Sequence, residues 1–145
     1  MPLHYVIEES LGFLTGQYSR LALKRVAESF VRNGLGITSA QWTILVRLWS
    51  QDGITQQTIA QKISKDKART ARLVGSIEKL GLIYRVTGDG DSREKRVYLT
   101  EKGKEVIGRA AVLVQEVLQD SYQGIDSDDL RTCRKVLLQA YLNLE

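Results

Sequence analysis

The stretch TQQTIAQKISKDKARTARLVGSIEKLGLIYRVTGDGDSREKRVYL, Thr55 to Leu99, decides the fold. Thr55 is a good helix N-cap, and Ile59, Ala60 and Ile63 follow it at helical spacing. Ser64 or Asp66 starts a second helix, which runs to Leu80 and stops at Gly81. The character then changes. Leu82-Ile83-Tyr84-Arg85-Val86 is β-branched and aromatic, Thr87 to Ser92 is turn-rich, and Arg96-Val97-Tyr98-Leu99 returns as a strand. Two short helices followed by a hairpin predict a winged helix-turn-helix, with Thr55–Gln61 as supporting helix and Asp66–Leu80 as recognition helix.

A helical wheel of the second helix gathers Thr70, Leu73, Val74, Ile77 and Leu80 on one face. The opposite face collects Lys65, Ala68, Ala71, Arg72, Gly75, Ser76 and Lys79. Small residues interleaved with bases suit the floor of a major groove: alanines let the backbone approach, and an arginine reaches a guanine edge or a phosphate. Gly75 costs roughly 1 kcal/mol of helix propensity relative to alanine, so something other than helix stability favours it. The candidate DNA-binding residues are Thr55, Gln56, Lys65, Lys67, Ala68, Arg69, Arg72 and Ser76, with Arg93 and Lys95 on the hairpin. Arginine on a thin loop suits a narrow minor groove, and Asp91 is placed to aim Arg93 through a charge-assisted bond.

The charge map agrees. From Lys62 to Lys104 there are twelve Lys/Arg against six acids, whereas the rest of the chain is mildly acidic and the whole carries +4. A basic block in a near-neutral molecule reads as a surface for polyanions.

Outward from this region, Leu3, Ile7, Leu11, Leu14, Tyr18, Leu21, Ala22 and Val26 predict a long first helix from Leu3 to about Val31, ending near Asn33-Gly34-Leu35-Gly36. Thr38 caps the next helix, with Trp42, Leu45, Val46 and Trp49 in its stripe. Thr100 caps another, carrying Val106, Ile107, Ala110, Leu113, Val114, Val117 and Leu118 until Gln123-Gly124. Asp126 or Ser127 caps the last, whose inward stripe is Leu130, Cys133, Val136, Leu137, Ala140, Tyr141 and Leu144. Cys133 is therefore expected to be a buried structural cysteine. The first helix and the last two carry more apolar stripe than one small winged domain covers, which predicts association through the chain ends.

Several classes fall away. A chain of 145 residues with 43% apolar and 26% charged content fits one folded domain. Its single proline favours a mainly helical fold. The longest stretch without a charge, Asn33 to Val46, is too short to span a membrane, and the N-terminus lacks the pattern of a signal peptide. One cysteine and one histidine (His4) cannot build a zinc site of Cys and His ligands. A lone cysteine suits a reducing cytoplasm. There is no nucleophile elbow, P-loop or paired-carboxylate site, so no enzyme and no cofactor is expected.

Asp91-Ser92-Arg93 through Leu99-Thr100-Glu101-Lys102-Gly103 fits the pattern D-x-R-x5-L-T-x-x-G. It closely resembles the wing signature of the MarR family of bacterial transcription regulators. Leu80-Gly81-Leu82-Ile83 looks like that family's helix-to-wing junction, and Thr38-x-x-Gln41-Trp42-x-x-Leu45 resembles its second helix. The resemblance covers the whole chain. It implies one domain over residues 1–145, with 3–33 and 101–145 as dimerisation helices and 38–100 as the winged DNA-binding region. It implies a homodimer whose first and last helices intertwine. Arg72 matches the family's recognition-helix arginine and Arg93 its wing arginine. Gly75 and Ser76 depart from the family, which often has Asp and a basic residue there. The function expected is a dimeric, cytoplasmic, sequence-specific regulator of a pseudo-palindromic double-stranded DNA operator, a repressor released by a small ligand. An aromatic or anionic effector is the ligand class considered, with Tyr18, Trp42 and Trp49 as pocket candidates. The competing reading is a winged-helix protein-interaction module, against which the basic recognition face argues.

Overall fold

A computed structural model of the chain describes residues 5–63, 66–88 and 94–145. The expectations resting on Leu3, His4, Ser64, Lys65, Asp91 and Arg93 lie outside these residues.

A 3-10 turn, Ile7–Glu9, precedes α1 (Leu11–Arg32). There follow α2 (Ser39–Ser50), β1 (Ile54–Thr55), α3 (Gln56–Ile63), α4 (Lys67–Lys79), β2 (Ile83–Thr87), β3 (Lys95–Leu99), α5 (Glu101–Ser121) and α6 (Ser127–Leu144). The sheet is antiparallel in the order β1-β3-β2, with Ile54 opposite Val97 and Ile83 opposite Leu99. The fold is mainly helical with a small wing, as the sequence predicts.

Local chemistry explains most boundaries. Thr38 and Gln41 form a reciprocal capping box at the start of α2: each side chain bonds the other residue's backbone N–H. Asp66 caps α4, accepting from the Arg69 N–H at 2.7 Å, and Thr100 caps α5, accepting from the Gly103 N–H at 3.0 Å. Thr100 also donates to the Gly81 carbonyl at 2.7 Å, and its N–H donates to Leu82 O. A Cβ on Gly103 would overlap the Leu82 carbonyl. The L-T-x-x-G spacing therefore locks the start of α5 onto the turn that leaves α4.

The core lies within the winged region and the adjoining halves of α1 and α5. Phe30, Ile44, Leu45, Leu48, Ile59, Val74, Ile77, Leu82, Ile83, Val97 and Ile107 are almost fully buried there. The rings of Phe30 and Trp42 meet edge to face at 6.2 Å, tying α1 to α2.

Five expectations need correction. The first helix begins at Leu11, because Ser10 is extended and its hydroxyl accepts from the Phe13 N–H, capping α1. The apolar spacing ran through Ser10 without a break. The wing has a third strand, β1, which two residues are too few to announce. Gly53 leads into it with a φ of +72°, and the Tyr98 ring occupies the space where a side chain would stand. Trp49 is 60% exposed, and the inward positions of α2 are Ile44, Leu45 and Leu48. Leu80 is 38% exposed where the wheel turned it inward, because α4 ends at Lys79. Finally, α6 buries no residue in this chain. Cys133 is exposed, because among the described residues none covers its side of the helix.

Candidate nucleic-acid interface

The site is built on α4. Thr70, Val74 and Ile77 point into the core, which turns Lys67, Ala68, Arg69 and Arg72 to solvent. The first turn of α4 has no acid and carries Lys67 and Arg69. The Asp66 carboxylate at the N-cap already complements the macrodipole, and Lys67 and Arg69 leave the turn that follows it cationic toward an approaching anion. Among the described residues, no hydrogen bond or ion pair engages the side chains of Lys67, Arg69, Arg72 or Lys95. A groove of about 390 Å³ runs between α3, α4 and the wing, lined by Thr55, Gln56, Gln57, Lys67, Glu94 and Lys95. Arg69 and Arg72 border a second hollow against Ala40 at the start of α2.

Three candidates have polar atoms engaged inside the fold: Ser76, Thr55 and, through its carbonyl oxygen, Gln56. Ser76 is half-buried; its hydroxyl accepts from Gln41 Nε2 at 3.1 Å and donates to the Leu73 carbonyl at 2.6 Å. It fastens α2 to α4, a role the wheel missed because α2 packs over that edge of the helix. The Thr55 hydroxyl caps α3, accepting from the Thr58 N–H at 3.1 Å, and shares a hydrogen bond with the Thr58 hydroxyl. Lys65, Arg93 and Asp91 lie outside the described residues. The structure thus brings together Gln56, Lys67 and Lys95 around one groove, with Ala68, Arg69 and Arg72 on the adjoining face.

Sequence reasoning missed Arg85. From β2 it donates to both carboxylate oxygens of Glu78, Nε at 3.1 Å and Nη2 at 2.8 Å, and through Nη1 to Gln56 Oε1 at 3.1 Å. The hydrogen bonds from Arg85 hold the Glu78 carboxyl below its usual range, and those to Glu78 raise the Arg85 guanidinium. The signal available was an opposite-charge pair seven residues apart across Gly81, which no helical or strand period picks out. Arg96 is also engaged, donating to the Gly53 carbonyl at 3.0 Å. The basic block is therefore less available to a ligand than its count suggests.

The pocket candidates separate. Trp42 is in the core and Trp49 is on the surface, so Tyr18 alone remains at a cleft. That cleft, about 330 Å³ between α1 and α5, is lined by Tyr18, Leu21, Ala22, Arg25, Arg32, Val117, Asp120 and Ser121. The Tyr18 hydroxyl and Ser121 hydroxyl are 3.0 Å apart across it. Among the described residues no group of acids, Cys and His could hold a metal ion, and no helix is long and apolar enough to cross a membrane.

Residues 37–95, which span α2 to the start of β3, match the model of the MarR family. The uncharacterized HTH-type transcriptional regulator YybA of Bacillus subtilis is 27% identical over 111 residues, covering 77% of this chain and 74% of that protein. The crystal structure of the transcriptional regulator PA3341 is 30% identical, with a TM-score of 0.80 over 93% of this chain and 98% of that one. The Staphylococcus aureus MepR–DNA complex shares the fold, at 21% identity and a TM-score of 0.77 over 95% and 99% of the two chains. The matched region, the near-complete overlap with a regulator at 30% identity, and the Thr100–Gly103 lock observed above agree: this chain belongs to the MarR family of winged-helix transcription regulators.

Proposed function

We propose that this protein is a cytoplasmic homodimer that binds pseudo-palindromic double-stranded DNA and represses transcription until a small ligand releases it. The observation that carries DNA binding is the N-terminal half of α4. Its solvent face holds Lys67, Arg69 and Arg72 without an acid in the first turn, beside small Ala68. Arg72 is suited to base edges, Lys67 and Lys95 to phosphates, and Arg93 with Asp91 to the neighbouring minor groove. Residues 38–100 form the DNA-binding unit in this reading, and 3–33 with 101–145 the dimerisation unit. MepR, a protein of the same fold, has been crystallised with DNA.

The dimer is supported by what the single chain leaves uncovered. Leu11, Leu14, Tyr18 and Leu21 on α1, and Val136, Leu138, Tyr141, Leu142 and Leu144 on α6, are all exposed. A helix apolar on several sides with no buried residue is stable inside an assembly. The α1–α5 cleft suits an aromatic or anionic effector: Arg25 and Arg32 supply charge beside Leu21, Ala22 and Val117.

The test is in vitro selection of bound duplexes from a random pool, followed by salt titration. A shared motif should be enriched, and its affinity should fall steeply with salt. Recovery of no motif, with retention independent of salt, contradicts the proposal.

A further inference from the structure

Gln56 is the first residue of α3, half-buried at the wall of the groove that also holds Lys67, Lys95 and Glu94. A glutamine amide offers a carbonyl oxygen on one side and an N–H₂ group on the other. A guanidinium has five N–H donors and no acceptor, so the Gln56 atom that Arg85 faces must be the carbonyl oxygen. Glu78 takes two further donors of the same guanidinium and fixes its plane. The charge of Arg85 is thus balanced by a carboxylate, and its geometry is set from two sides. Among the described residues, the N–H₂ of Gln56 is the part of the arrangement that makes no hydrogen bond.

We propose that Arg85 is a positioning residue for the DNA backbone: by donating to Gln56 Oε1 it turns the Gln56 N–H₂ group toward the groove, as a neutral donor to a phosphate oxygen. The inference rests on the DNA-binding reading above and adds a division of labour to it. Lys67 and Lys95 supply the charge that draws the phosphate in, and Gln56 supplies direction. Because β2, α3 and α4 meet at this one guanidinium, the phosphate contact is registered to the helix and to the wing together. Arg85 itself touches no DNA.

The test measures binding of fluorescent selected duplex by anisotropy at several salt concentrations, with melting temperature recorded for each variant. Gln56→Ala should weaken binding about tenfold. Its salt slope should match the wild type, because a neutral amide releases no counterion, whereas Lys67→Ala should reduce the slope by about 1 per half-site, about 2 for the dimer. Arg85→Met combined with Glu78→Gln removes both charges of the pair together. It should lose the same factor as Gln56→Ala, and adding Gln56→Ala to it should lose no more. A purely structural role for the pair predicts instead that the losses multiply; that result, or wild-type binding by the paired variant, overturns the proposal. Gln56→Glu provides a second route should the paired variant not fold. Its carboxylate still accepts from Arg85, so its melting temperature should hold while binding falls more than tenfold; unchanged binding overturns the proposal. Failure of the wild type to bind any selected duplex brings down the function and this inference together. Normal wild-type binding with insensitive variants brings down this inference alone.

Discussion

Gly75 sits inside α4, half-buried, with nothing within 4 Å of where a Cβ would stand. Gly75→Ala should therefore raise stability by about 0.5–1 kcal/mol, through helix propensity alone. If the small outer face exists to let DNA approach, the same change should weaken binding to the selected duplex; thermal melts and anisotropy on one preparation read both effects. Gly103 is the opposite case. Its neighbour is the Leu82 carbonyl, a backbone group that cannot turn aside, so Gly103→Ala should destabilise by about 1–3 kcal/mol in denaturant melts. Glu78 carries a pH dependence. Its carboxyl is held low by Arg85, so its contribution is complete above the ordinary carboxylate pKa and is lost as pH falls through the lower, folded value. Wild type should exceed Glu78→Gln in stability at neutral pH by less than about 1 kcal/mol, since the pair is partly exposed, and the two should converge in acid. Thr100 and Gly103 were legible in the sequence because capping and close approach are local. The engagements of Ser76, Thr55 and Arg85 were not, because each depends on which neighbour another element brings across.

Helices α2, α4 and α5 followed from caps and periodicity, since each starts at a Thr or Asp that accepts from the third backbone N–H onward. Two elements escaped that logic. β1 exists only through its pairing with β3, where Ile54 faces Val97, so nothing within its own two residues specifies a strand. The start of α1 escaped because Ser10 interrupts the backbone while the apolar spacing continues across it. The reading of α6 failed differently: its apolar residues were found, but none of them is buried by the described residues of this chain. That makes α6 the element on which association can be tested. Leu138 and Leu142 are 59% and 50% exposed, one turn apart. Burying two leucines is worth roughly 3–6 kcal/mol, so Leu138→Asp with Leu142→Asp should weaken the dimer by about a hundredfold or more. Sedimentation velocity across a dilution series reads this directly. A variant that stays dimeric to the same dilution as wild type removes α6 from the interface.

At the scale of the molecule, the core and the uncovered surface occupy different regions. Buried side chains concentrate between Val26 and Ala110, whereas exposed apolar residues concentrate before Leu23 and beyond Ile125. One end of the molecule is thus a packed winged helix presenting cations, and the other is a set of helices with exposed apolar faces. A second copy joined there by a two-fold axis would present two α4 helices to one duplex. The distance between them is a geometric consequence of this arrangement, independent of which bases are read. Hydroxyl-radical footprinting of the wild type on a selected duplex measures it. Two equivalent protected half-sites related by dyad symmetry, about 34–36 Å apart centre to centre, are expected. A single asymmetric protected segment at full affinity would contradict this arrangement.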